Sequence, residues 1–171
     1  MNKSLYSITE SRRGFTLIEL MVVVAIMAIL AAAAMPLREL MVKREKEQVL
    51  RTGLRQIRVA IDAYKQAVDD GRIKKNEDTS GYPIRLDELF MGVPDIKDSE
   101  NKYIYFLRRL PRDPMFQDLD VAGVEKTPDV NTWGKRSYKS PPDNPREGED
   151  VFDIYSRSES IGLNGIPYNK W

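Results

Sequence analysis

Residues 12–30 read RRGFTLIELMVVVAIMAIL: two arginines, a glycine, and an apolar run with one carboxylate, Glu19, near its start. From Phe15 through Met35 the only polar side chains are Thr16 and Glu19. A helix of about 21 residues rises about 31 Å, the thickness of a bilayer's hydrocarbon core, so this stretch is long enough to span a membrane. In that setting the acid is costly, since a charged carboxylate at the bilayer centre is disfavoured by roughly 2.5–3.5 kcal/mol on the mildest scale. Two readings account for it. Glu19 lies one turn in from Phe15, where an acid faces the positive end of the helix dipole and sits near the headgroups. The other reading is functional, the default for an ionisable group inside a membrane segment.

The first 14 residues carry Lys3, Arg12 and Arg13 against Glu10. A positive flank stays cytoplasmic, so the expected topology is N-terminus inside and the rest of the chain exported. Two kinds of export signal make the apolar run disposable. A secretory signal is cut after a small-residue site, which ILAAAAMP offers around Ala32 to Ala34. A twin-arginine signal is suggested by SRRGFTL. Against both stand the acid and an amphipathic helical pattern that continues directly out of the run.

With 27 basic and 26 acidic residues the chain is nearly neutral, which argues against a dedicated nucleic-acid binder. Beyond the leader and the apolar run about 130 residues remain, enough for one small domain with its own core. The absence of Cys and His excludes disulfides, thiolate or imidazole metal sites, and mechanisms built on a Cys nucleophile or a His base. No phosphate-binding glycine loop and no nucleophile beside an obvious base is present, so an enzyme is not expected.

Gly14-Phe15-Thr16-Leu17-Ile18-Glu19 after a basic leader resembles the class III signal of type IV pilins and type II secretion pseudopilins. The resemblance implies that a prepilin peptidase cuts after Gly14 and methylates Phe15, while the apolar helix is kept as membrane anchor and filament core. It also implies that Glu19 meets the ammonium of a neighbouring subunit's Phe15 during assembly. An intramembrane ion is tolerated when paired, and removing one partner of a buried pair costs roughly 3–5 kcal/mol. Pro36, a position where family members often carry proline, is expected to kink or locally open the helix.

Past Pro36, residues Leu50, Leu54, Ile57, Ile61, Tyr64 and Val68 step by fours and threes along one helical face until Asp69-Asp70-Gly71 ends it. Arg44, Arg51, Arg55 and Arg58 run beside this stripe and read as a solvated face; pairing with acids on adjacent subunits is the alternative. Residues 72–81 form a polar loop, and YPIRLDELF suggests a short helix from near Pro83. YIYFLRRL is apolar, aromatic and basic; RSYKS and VFDIYSR read as short strands, joined by the Pro-rich SPPDNPREGED. The predicted fold is α+β, a long N-terminal helix packed on a small antiparallel sheet, as in pilins. Its expected divisions are a leader 1–14, a membrane and assembly helix 15–36, an amphipathic continuation 37–71, and an α+β head 72–171.

LRRLPRDP at 107–114, TWG at 132–134, DVFDIYS at 150–156 and the closing GLNGIPYNKW are similar to major pseudopilins of type II secretion. As ordinary structure, Pro111 and Pro114 stiffen a loop, while Trp133 and Trp171 cover the sheet edge. The lack of a C-terminal disulfide, common in type IV pilins, favours a pseudopilin. The resemblance further implies calcium in the C-terminal loop, yet after Asp153 only Glu159 is acidic. Calcium takes six to eight oxygens, several of them carboxylates, so Ser156, Ser158, Glu159 and Asn164 are weak candidates and no metal is assigned.

The expected function is a pseudopilin subunit that polymerises in the inner membrane and helps drive protein export. Its N-terminus would be cytoplasmic and its head periplasmic. The expected partners are the prepilin peptidase, copies of itself, other pseudopilins, the inner-membrane assembly platform and membrane lipid, with no nucleic acid. The alternatives are a type IV pilin for adhesion, motility or DNA uptake, and an uncut bitopic anchor.

Overall fold

The structure, a computed structural model, describes residues 14–75, 79–100, 102–118 and 125–171, without the side chains of 33–36. The leader with Lys3, Arg12 and Arg13, and the side chain of Pro36, therefore lie outside the described residues. The expected α+β, pilin-like fold is present. Helix α1 spans Leu17–Asp69, followed by α2 (Glu88–Met91), β1 (Val93–Pro94), β2 (Tyr103–Ile104), β3 (Trp133–Arg136) and β4 (Asp153–Ser156). The helical assignment of α1 runs through Pro36 without interruption. The chain divides into two compact units after Met41.

In the first unit the apolar side chains face outward: Phe15, Leu17, Ile18, Leu20, Met21 and the valines, isoleucines and methionine beyond them are all exposed. It is the one described helix apolar and long enough to cross a membrane.

The second unit holds the core. The stripe Leu50, Leu54, Ile57, Ile61, Tyr64 and Val68 is buried against Leu86, Leu89, Leu110, Trp133, Val151, Ile154 and Tyr168. The alternation of fours and threes keeps each of these on one side of α1, so burial follows from spacing. The helix ends in a Schellman arrangement, with Arg72 N–H donating to the Ala67 carbonyl (2.9 Å) and Gly71 N–H to that of Val68 (2.9 Å). That geometry puts Gly71 at φ 68°, in the left-handed region that glycine enters without a Cβ clash.

The expected single sheet is two separate antiparallel pairs, β1 with β2 and β3 with β4. Trp133 lies opposite Ser156 and Arg136 opposite Asp153. The strand expected at RSYKS starts earlier, at Trp133, and stops at Arg136. Ser140 N–H already turns back to the Ser137 carbonyl (3.0 Å), and Pro141 and Pro142 have no N–H to continue a ladder. The helix expected from Pro83 begins only at Glu88, because the Pro83 carbonyl is taken by Val151 N–H (2.8 Å). Of YIYFLRRL only Tyr103–Ile104 pairs as strand; Phe106 and Leu107 donate instead to the Leu89 carbonyl. Trp133 does not cover an edge: it is fully buried, and its Nε1 donates to the Pro111 carbonyl at 2.8 Å.

Candidate functional site

Gly14, Phe15 and Thr16 precede α1 in non-helical backbone and are exposed. The helix is opened by Thr16, whose carbonyl accepts Leu20 N–H (3.1 Å) and whose hydroxyl accepts Glu19 N–H (3.3 Å). Sequence alone assigns Thr16 no role beyond polarity, although Thr16–Glu19 has the S/T-x-x-E spacing that marks a helix start. Capping of this kind typically contributes about 1 kcal/mol and fixes where the helix begins. Glu19 thereby sits in the first turn, exposed, and no hydrogen bond or ion pair holds its carboxylate among the described residues. The arrangement presents a capped helix start, an acid within it, and an apolar surface on which no described residue packs.

The weak metal candidates lie apart from this segment and do not converge. Ser156 is fully buried; its hydroxyl donates to Asp113 Oδ2 (2.7 Å) and accepts Ser158 N–H (3.2 Å). The Ser158 hydroxyl accepts Ser160 N–H (3.4 Å) and Asn164 Oδ1 accepts Ile166 N–H (3.0 Å), so both close local turns. Glu159 is exposed, and no cluster of three or more metal-ligating side chains occurs among the described residues. This donor set does not fit calcium, which needs several carboxylates around one point.

Two buried carboxylates instead tie the loops together. Asp113 accepts Met115 N–H (2.8 Å) and the Ser156 hydroxyl, and burial pushes its carboxyl up despite these donors. Asp150 is also partly desolvated, but the hydroxyls of Ser137 and Ser80 and the Tyr138 N–H outweigh burial and hold its carboxyl below the usual range.

The arginines expected to form a solvated face divide. Arg44 and Arg55 are exposed. Arg58 Nε bonds Asp153 Oδ1 (2.8 Å), while its Nη2 donates to the main-chain oxygens of Ile154 (3.1 Å) and Trp171 (2.9 Å). Arg51 stacks over the Trp171 ring at 4.6 Å. Two residues of the same helix not singled out by sequence join them. Lys43 Nζ donates to the Ile161 carbonyl (2.8 Å), and Glu47 Oε1 accepts Leu163 N–H (2.6 Å) and the Tyr168 hydroxyl (3.0 Å). The only forward signal for these two is that Lys43, Glu47 and Arg51 follow one another at intervals of four, on one side of the helix.

A family model described as a prokaryotic N-terminal methylation motif matches residues 11–35. The chain is 33% identical over 119 residues to the type II secretion system core protein G of Klebsiella michiganensis, covering 66% of this chain and 75% of that protein. It is 32% identical over 118 residues to the protein of the same name from Klebsiella pneumoniae, with the same coverage of each chain. No solved structure matches it significantly. With three quarters of these relatives spanned at this identity, the chain belongs to the type II secretion system core protein G family of pseudopilins.

Proposed function

We propose that this pseudopilin is a structural subunit, not an enzyme, that polymerises through its apolar helix into a type II secretion pseudopilus and helps move proteins across the outer membrane. The observation that carries the reading is the first turn of α1, where Glu19 has no partner among the described residues in a capped, apolar and exposed helix start. Prepilin peptidase cuts after Gly14 and methylates Phe15, leaving an ammonium beside the positive end of the helix dipole, where a cation is disfavoured. Glu19 of an adjacent subunit relieves that ammonium, and each charge offsets the other's burial. Before assembly the protein sits in the inner membrane with its N-terminus cytoplasmic and its head periplasmic, in contact with lipid, the assembly platform and other pseudopilins. Relatives named as secretion core proteins favour this over a type IV pilin.

The test is Glu19→Ala. Apolarity drives insertion and charge pairing drives assembly, so the variant stays in the carbonate-resistant membrane fraction while filaments fall to background. A normal filament yield from Glu19→Ala refutes the pairing.

A further inference from the structure

The C-terminal segment after β4 has little regular structure of its own. Among the described residues it contains one isolated bridge, Ile161 to Pro167, and a single 3-10 turn at Tyr168–Lys170. A segment of this kind needs an organising centre, because its own hydrogen bonds do not offset the entropy of ordering it. The resemblance to major pseudopilins implies calcium at this place, and the oxygens available here do not fit it.

We infer that α1 itself supplies the centre, and that the C-terminal segment is held by an internal ion clasp with no need for a metal. Lys43, Glu47, Arg51 and Arg58 bring both signs of charge to bear on the segment. The ammonium of Lys43 donates to the Ile161 carbonyl at 2.8 Å, as a bound cation would attract it. The carboxylate of Glu47, itself 5% exposed, accepts Leu163 N–H at 2.6 Å and the Tyr168 hydroxyl at 3.0 Å. Arg58 closes the far end on the Trp171 main-chain oxygen at 2.9 Å, and Arg51 lies over the Trp171 ring. Hydrogen bonds with one charged partner are roughly twice as strong as neutral ones, and Glu47 is buried enough to escape much of the screening that weakens surface pairs. The clasp also explains why Ser158 and Asn164 are free to close turns within the segment: the helix does the work that ligands would do. The inference concerns the second unit alone and stands whether or not the chain assembles into filaments.

The experiment uses the full chain in detergent micelles, comparing millimolar EDTA with millimolar calcium chloride. It reads thermal unfolding by circular dichroism and the rate of carboxypeptidase trimming by mass spectrometry. For the unaltered chain the melting temperature and the trimming rate are the same in both buffers, because a site bound only by the folded state would raise the melting temperature in calcium. Lys43→Met and Glu47→Ala each speed trimming by roughly tenfold or more, because trimming follows the population of the released segment. If Glu47→Ala does not fold, Lys43→Met decides the matter, since the lysine is only half-buried and its loss leaves the core intact. Calcium-dependent protection of the unaltered chain, or trimming of a folded clasp variant at the unaltered rate, overturns the inference.

Discussion

Gly53 is where α1 and Trp133 meet, and two substitutions there have opposite expected signs. A Cβ at this position would stand 3.4 Å from both Cη2 and Cζ2 of Trp133 and 3.8 Å from the Pro111 Cβ, which is ordinary van der Waals contact. Alanine therefore fits, and it removes the entropic penalty of glycine inside a helix, about 1 kcal/mol. Gly53→Ala is expected to stabilise the fold by about 0.5–1 kcal/mol and to raise the melting temperature by about 2–5 °C. Valine adds γ-carbons about 1.5 Å further out, into a ring already in contact. Trp133 cannot retreat, being fully buried and tethered by its bond to the Pro111 carbonyl, so overpacking costs about 1–3 kcal/mol. The assay is urea unfolding of residues 42–171, which contain every buried core residue among those described, followed by tryptophan fluorescence. A Gly53→Val protein at least as stable as the parent would show that Trp133 does not lie on this face of the helix.

Other expectations follow from the same contacts. Trp133→Phe leaves the Pro111 carbonyl without its donor and opens a small void, destabilising the second unit by about 2–4 kcal/mol in the same urea assay. Burial and the hydrogen bond to Glu47 push the Tyr168 hydroxyl up from 10.0 to about 12. Its contribution is thus complete below pH 10 and lost as pH rises toward 12, where the unfolded chain ionises first. Tyr168→Phe should lower the melting temperature at pH 8 yet flatten its fall between pH 10 and 12; an unchanged slope would deny the contact with Glu47. Gly14→Leu should accumulate uncut precursor in membranes, read as a heavier band on an immunoblot; normal processing would place the cut elsewhere.

Legibility from sequence tracked how local each interaction is. The stripe from Leu50 to Val68 and the stop at Gly71 rest on spacings of three and four and on glycine chemistry, and both are present in the structure. The S/T-x-x-E spacing at Thr16 is equally local, yet sequence alone assigns Thr16 no capping role, and the bond to Glu19 N–H came from the structure. Strand limits were less legible. Two- and four-residue strands are too short to display a period of two, and β3 buries its neighbours Trp133 and Gly134 together instead of alternating. Least legible was the clasp, whose bonds join residues 113 to 121 positions apart. In sequence an arginine held by a distant main-chain oxygen looks the same as one in water, so Arg58 and Arg55 could not be told apart before the fold brought Trp171 to one of them.

The most direct measurement is the mass of the mature N-terminus of protein purified from membranes. Each reading of residues 12–30 places that terminus differently: Phe15 for a pseudopilin, near Met35 for a secretory or twin-arginine signal, and Met1 for an uncut anchor. The expected result is an N-methylated Phe15, whose amine remains a cation and can still pair with Glu19. A chain that begins at Met1, or near Met35 and free of the membrane, would contradict the account and leave Glu19 without a function.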